Sequence, residues 1–503
     1  MKIIHISRKL ITALENPKIP FGNYILTFVF IMTLRNFLEM FSDTEEISFE
    51  LFAHYYLSYV CLAMALMVLF YFTTRETINN IARVVLVSFL VLILAPTLDL
   101  IISLGKGYNI SYMLPGIHEN LLYRFFTFFG PLDKFGVSPG MRIEIALVLV
   151  TSSIYFYIKT GNILRSLFFS FLTYCLIFLY GIMPYAARFF LNVCGLEYAY
   201  SSLLMRNVYL FLILILVATL YALYRRDYFI EILKDLRYLR ILHYTVMFVF
   251  GIVLAKEAFV LTEETLFYLI FTSASIVFAC LFSLITNNLI DYDIDKISNT
   301  SRPSVSKSIP TGHYMKLAWI AFIMAMIYSL AVSFATMFLI LLFIAVYYFY
   351  SMPPLRLKRV LVFSKMLIAL NSLVLFITGF LFMGGKLQVP MNLILFILIG
   401  FTAVINFIDI KDFEGDKQAG IKTLPTIMGL KKSKLLIALF FAIIYPCSYF
   451  ILKEKMLLFP SIIIGCILFF LIIRKKYDER PVFLVYLSSI ILLILYLINF
   501  PKP

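Results

Sequence analysis

The sequence predicts an all-α, polytopic membrane protein, and three observations carry that reading. Of its 503 residues 62% are hydrophobic and 14% charged, whereas a soluble domain is about 25% charged. Windows of roughly 20 mostly apolar residues, the length that crosses a bilayer as a helix, recur along the whole chain. The polar stretches between them are short and rich in Lys and Arg, the mark of loops beside membrane spans.

Six candidate spans come first, near residues 20–41, 51–73, 80–104, 140–159, 163–185 and 204–224. A basic connector over 225–240 carries Arg225, Arg226, Lys234, Arg237 and Arg240. It marks the expected boundary between a 1–230 transmembrane domain of unknown role and a 231–503 domain. Nine more spans are expected near 241–261, 265–287, 315–332, 334–351, 364–384, 391–409, 434–452, 456–473 and 481–499, about fifteen in all. No internal repeat relates the two halves. Polar and basic residues run to Lys18 without a cleavage site after them, so the first span is expected to be retained.

Charge bias orients this set. Lys2, Arg8, Lys9 and Lys18 precede the first span, and Asp43, Glu45, Glu46 and Glu50 follow it, which places the N-terminus in the cytoplasm. Alternation then brings the 225–240, 288–314, 352–363 and 410–433 loops, with Arg474, Lys475 and Lys476, to the cytoplasmic side. These are the most basic loops, although Lys386, Lys453 and Lys455 fall opposite. The net charge of +15 is therefore assigned to membrane lipids and topology, and no nucleic-acid partner is expected. Cys61, Cys175, Cys194, Cys280, Cys447 and Cys466 stand singly among five scattered histidines, a pattern that speaks against zinc or haem.

Two carboxylate clusters fall where apolar spans reach the cytoplasmic surface. In Asn287-Asn288-Leu289-Ile290-Asp291-Tyr292-Asp293-Ile294-Asp295, the residues Asn287, Asp291 and Asp295 are four apart and form one stripe on a helix. Asp293 lies off it. In Asp409-Ile410-Lys411-Asp412-Phe413-Glu414-Gly415-Asp416, Asp412 and Asp416 are again four apart, with Asp409 one turn earlier. Either cluster alone could be a solvated helix cap. Together, so many carboxylates on facing helix ends repel one another unless a cation sits between them. Hard oxygen donors suit Mg2+, which keeps waters and substrate phosphates as further ligands. Lys296, Arg302 and Lys307 follow the first cluster, Lys411, Lys417 and Lys422 surround the second, and Arg356, Lys358 and Arg359 lie between. Such side chains bond free phosphate oxygens directly.

The stretch Asn287 to Asp295 resembles the NxxxDxxxD motif of the UbiA superfamily of intramembrane prenyltransferases, and Asp412 to Asp416 its second DxxxD motif. The run from Asp412 through Gly420 to Thr423-Leu424-Pro425 is similar to DxEGDxxxGxxTLP, and Tyr350-Ser351-Met352-Pro353-Pro354-Leu355-Arg356-Leu357-Lys358-Arg359 to a YSxPPxRLKR loop of that superfamily. The resemblance covers about residues 235–503. It implies a nine-helix bundle that transfers a prenyl group from a polyprenyl diphosphate to an aromatic or lipid-precursor acceptor, releasing diphosphate with Mg2+ as cofactor. By resemblance Asn287, Asp291, Asp295, Asp412 and Asp416 are the catalytic metal-holding set, and Arg302, Lys307, Tyr350, Arg356, Lys358, Asp409 and Lys417 line the substrate. Three departures stand out. Asn288 replaces a frequent Asp. The 302–312 loop is about two residues longer, with Ser301 for Asn, which leaves the phosphate-facing role to Arg302 or Lys307. Pro354, not Lys, lies four after Tyr350. The acceptor is not identified by any motif.

A transporter or lipid-binding protein using the same acidic cluster for a cation is the competing class. It predicts ionisable groups near the membrane midplane, whereas these concentrate at helix ends. In the N-terminal half, Arg35, Glu39, Arg83 and Asp99 lie in or near apolar runs and are expected to pair or to reach the interface. The aromatic 108–140 stretch, with Pro115, Gly116, Pro131 and Pro139, is expected to lie in the interface or re-enter.

Overall fold

The computed structural model describes residues 2–42, 49–108, 112–117, 120–131, 137–255, 261–298, 300, 302–382, 389–418 and 420–499. Asp43, Glu45, Glu46, Ser301 and Lys386, with the side chain of Glu50, lie outside them. The described elements are all helical. Fourteen of them are long and apolar enough to cross a membrane. The seventh expected span is the 17-residue Tyr238–Leu254 helix, set at 68° to the Arg226–Asp235 helix before it. Counting that bent pair as one span gives up to fifteen, so the six-plus-nine division turns on how it is counted. The connector read as a basic loop is thus largely helix, with its bend just after Asp235.

The chain divides into two compact units, Met1–Phe229 with Leu261–Phe267, and Ile230–Val260 with Tyr268–Pro503. Inside the first, the ionisable groups are paired as burial requires. Arg35 meets Glu39 one turn on and lies over the Tyr59 ring at 4.9 Å. Arg83 donates to the carbonyls of Asn16 and Ile19 at 2.8 and 2.9 Å. Asp99 accepts from Ser138 and from the Gly140 amide at 2.8 Å, tying it to the start of the Pro139–Thr160 helix. The third span changes to 3-10 geometry over Phe89–Ile93, just ahead of Pro96, which has no N–H to continue an α-helical ladder.

In the second unit the Tyr238–Leu254 helix runs beside Leu361–Phe382. Gly251 and Gly379 let the two backbones approach: a Cβ on Gly251 would stand 2.0 Å from the Phe376 oxygen, and one on Gly379 1.8 Å from that of Phe248. Small residues at crossing points are the usual means of close packing between membrane helices. A hydrogen-bonded chain locks the same pair to the last helix, Glu479–Asn499: His243 bonds Ser372 and Tyr486, each at 2.7 Å. This alignment fixes the ends of the helices that carry the charged residues.

Candidate active site

The Glu263–Ile290 helix is followed by a short helix, Tyr292–Ser298, with Asp291 at the joint. The joint does not break the register, because the Asp291 amide bonds the Asn287 carbonyl at 2.9 Å and the Asp295 amide the Asp291 carbonyl at 2.8 Å. The four-residue spacing therefore yields the expected stripe. Ser351, the last residue of Phe334–Ser351, donates to Asn287 Oδ1 at 2.7 Å. Asp291 and Asp295 are buried, and basic side chains hold both. Arg356 Nη2 reaches Asp291 Oδ1 at 2.9 Å, Lys358 takes Asp291 Oδ2, and Arg302 takes Asp295. Asp293 points away, 92% exposed, with Lys296 at 3.1 Å.

The second cluster begins on the turn of 3-10 helix Ile405–Ile410, which carries the buried Asp409. Lys365 Nζ lies 2.5 Å from Asp409 Oδ1, while Asp409 Oδ2 is buried without a hydrogen-bond partner. The Asp416 amide bonds the Asp412 carbonyl at 2.9 Å, and the Ile421 amide closes back on the Asp416 carbonyl at 2.9 Å. Gly420 makes that closure with φ of 67°, a value glycine adopts without strain.

The short helices Tyr292–Ser298 and Phe413–Gln418 pack against each other, so both clusters occupy one end of the unit. Tyr350 lies in the field of Asp291, Asp409, Lys365 and Arg240 together. Burial lowers the Lys358 ammonium, against the pull of Asp291. Burial also pushes the Asp416 carboxyl up to about 7, reinforced by Asp409 and Asp412. Among the described residues no three His, Cys, Asp or Glu side chains stand close enough to hold a metal, and Asp291 and Asp295 face internal cations. The donor set nevertheless fits a hard divalent ion. Its oxygens, from Asn287, Asp291, Asp295, Asp412 and Asp416, are carboxylate and amide, the hard donors such an ion takes.

Of the basic residues expected here, Arg302, Arg356 and Lys358 reach carboxylates. Lys307 is exposed at the end of Pro303–Ser306 with φ of 57°, and Lys417 is exposed over the Phe413 ring at 5.8 Å. Asn288 faces elsewhere: its Nδ2 donates to Asp235 Oδ2 at 2.7 Å and to the Tyr314 hydroxyl at 3.1 Å. Sequence reasoning missed Lys365, Arg240, Ser351, Asp235 and Tyr314. A lysine one turn into an apolar span was the available signal for Lys365, since such a charge needs a buried partner. Asp235 and Tyr314 had no motif to mark them.

The second unit is thus a membrane helix bundle with two acidic motifs and their basic partners gathered at one end. Residues 244–490 match the UbiA prenyltransferase family, and that stretch belongs to this family. The digeranylgeranylglyceryl phosphate synthase of Sulfurisphaera tokodaii is 26% identical over 167 residues, 33% of this chain and 59% of its own length. That of Methanosphaera stadtmanae is 28% identical over 157 residues, 30% of this chain and 54% of its own. The chain therefore spans little more than half the length of these curated relatives. A UbiA homolog from Archaeoglobus fulgidus, solved with DMAPP and Mg2+, is 19% identical with a TM-score of 0.44, over 53% of this chain and 97% of that one.

Proposed function

We propose that the second unit is a Mg2+-dependent prenyltransferase that joins a polyprenyl group from its diphosphate to a hydroxyl-bearing lipid precursor, on the cytoplasmic side of the membrane. One observation supports this above the rest: the acid-bearing helices Tyr292–Ser298 and Phe413–Gln418 meet, with Arg302, Arg356 and Lys358 on Asp295 and Asp291 of the first cluster. Diphosphate recognition requires this mixture of carboxylate and cation at one place. Asn287, Asp291, Asp295, Asp412 and Asp416 would hold Mg2+, which when bound supplies charge neutralisation for the departing diphosphate. Arg302, Arg356 and Lys358 bond the free phosphate oxygens and stabilise the charge that develops as the allylic carbon–oxygen bond opens. The relatives' names support a glycerol phosphate lipid over an aromatic ring as acceptor. The basic 288–314, 352–363 and 410–433 loops support the cytoplasmic placement.

Purified full-length protein in nanodiscs, given labelled geranylgeranyl diphosphate and Mg2+, is expected to release diphosphate. Asp291→Ala and Asp416→Ala are each expected to lower that rate at least ~100-fold. Unchanged turnover in both variants would reject the site.

A further inference from the structure

The geometry points to Asp409 as the group that receives the acceptor's proton, with Lys365 as the residue that positions it. This rests on the prenyltransferase reading and adds to it a step that the acidic motifs leave without a residue. When the C1–O bond of the prenyl diphosphate opens, its electron pair leaves with diphosphate. A lone pair of the acceptor hydroxyl then forms the new C1–O bond, and the hydroxyl proton must go to a base.

Three observations single out Asp409. It is buried, and its Oδ2 has no hydrogen-bond partner, an arrangement that is costly unless something else engages that atom. Its other oxygen is fixed by Lys365 Nζ at 2.5 Å, so the open oxygen has a defined direction. Asp409 stands near the end of the Ile405–Ile410 turn, three residues before Asp412, so this carboxylate adjoins the second acidic cluster. Asp291 and Asp295 are each held by basic partners. A buried carboxylate with one tethered and one open oxygen is the form a general base takes, poised within reach of a single proton.

Lys365 lies one turn into Leu361–Phe382 and is itself buried. Its ammonium tethers Asp409 Oδ1 and so aligns the carboxylate. The other groups whose charge bears on Asp409 are Arg240, Asp412, Asp416 and the Tyr477 hydroxyl. Arg240 acts with Lys365, and the two carboxylates oppose them.

The test uses full-length protein in nanodiscs with Mg2+, C1-labelled geranylgeranyl diphosphate and geranylgeranylglyceryl phosphate as acceptor probe, counting transferred product against free prenol. Asp409→Asn is expected to lower the ratio of transfer to hydrolysis by about 100-fold, the usual scale of general-base catalysis. An unchanged ratio overturns the assignment, and so does an equal fall in both products. Lys365→Met is expected to move the acidic limb of kcat/KM for transfer to higher pH, and Lys365→Arg to return it. A limb that stays in place in Lys365→Met overturns the positioning role, and decides the matter should Asp409→Asn not fold. Wild-type protein that releases no diphosphate overturns the prenyltransferase reading instead. Wild-type protein that forms prenol but no transfer product overturns the acceptor class and this inference with it.

Discussion

The Ser351 hydroxyl donates to Asn287 Oδ1 at 2.7 Å, so the end of one span sets the amide orientation at the head of the first acidic stripe. Ser351→Ala frees that amide to rotate. One neutral hydrogen bond contributes about 1 kcal/mol, and the Mg2+ concentration for half-maximal diphosphate release is expected to rise about fivefold. A Mg2+ titration of initial rates measures it; an unchanged midpoint would show that Ser351 does not orient Asn287.

Asp293 and Asp295 are two residues apart on one short helix yet face different surroundings. Asp293 is 92% exposed beside Lys296, and Asp295 is buried against Arg302. Asp293→Ala is expected to leave turnover within about twofold and stability within ~0.5 kcal/mol. Asp295→Ala strands Arg302 and is expected to lower turnover at least ~100-fold. Equal losses in the two variants would contradict the placement of the stripe.

The Asp416 carboxyl, pushed up to about 7 by burial and by Asp409 and Asp412, gives metal binding a pH dependence of defined sign. A raised acid pKa means that the metal-free folded state binds this proton more tightly than the unfolded chain. Its contribution to stability is therefore full below the ordinary carboxylate range and is lost as pH rises through about 7. Mg2+ needs the ionised form, so its apparent affinity is expected to climb as pH rises from 6 to 8 while binding releases fewer protons. Added EDTA is expected to lower Tm more at pH 8 than at pH 6. Calorimetric Mg2+ titrations in two buffers of different ionisation enthalpy count the protons, and an affinity independent of pH would refute the assignment.

Asn288 donates to both Asp235 and Tyr314 and is fully buried. Asn288→Asp restores the residue common at this motif position but sets a carboxylate against Asp235. The loss of donated bonds and the new repulsion are expected to cost about 2 kcal/mol. Adding Asp235→Asn reverses the donor and acceptor roles, and the double variant is expected to recover most of the lost Tm. A double variant no more stable than the single one would show that Asp235 is not the partner that matters.

Much of this was legible in the chain itself, for identifiable reasons. Apolar windows need no knowledge of tertiary contacts, because the bilayer imposes its thickness on every span. Each of the fifteen stretches read from hydropathy overlaps a helix among the described residues. The four-residue spacing of Asn287, Asp291 and Asp295 is a property of the backbone, and it survived the joint at Asp291. What the spacing could not convey was which cation meets which carboxylate. Arg302 reached Asp295 while Lys307, in a left-handed turn, stayed exposed. The Asp235–Asn288–Tyr314 contact joins residues 53 and 26 positions apart, a distance over which no local pattern speaks. The polar 225–240 connector concealed a helix whose bend places Asp235 there.

The cations already seated on Asp291 and Asp295 shape what can enter. A lone divalent ion would have to evict Arg302, Arg356 or Lys358 from a low-dielectric pocket, and a lone polyanion would have to pull them off their carboxylates. On the proposed reaction, metal and pyrophosphate arriving together would let these internal pairs trade partners. The resting protein would thus be its own placeholder, its internal ion pairs standing where the admitted salt would sit.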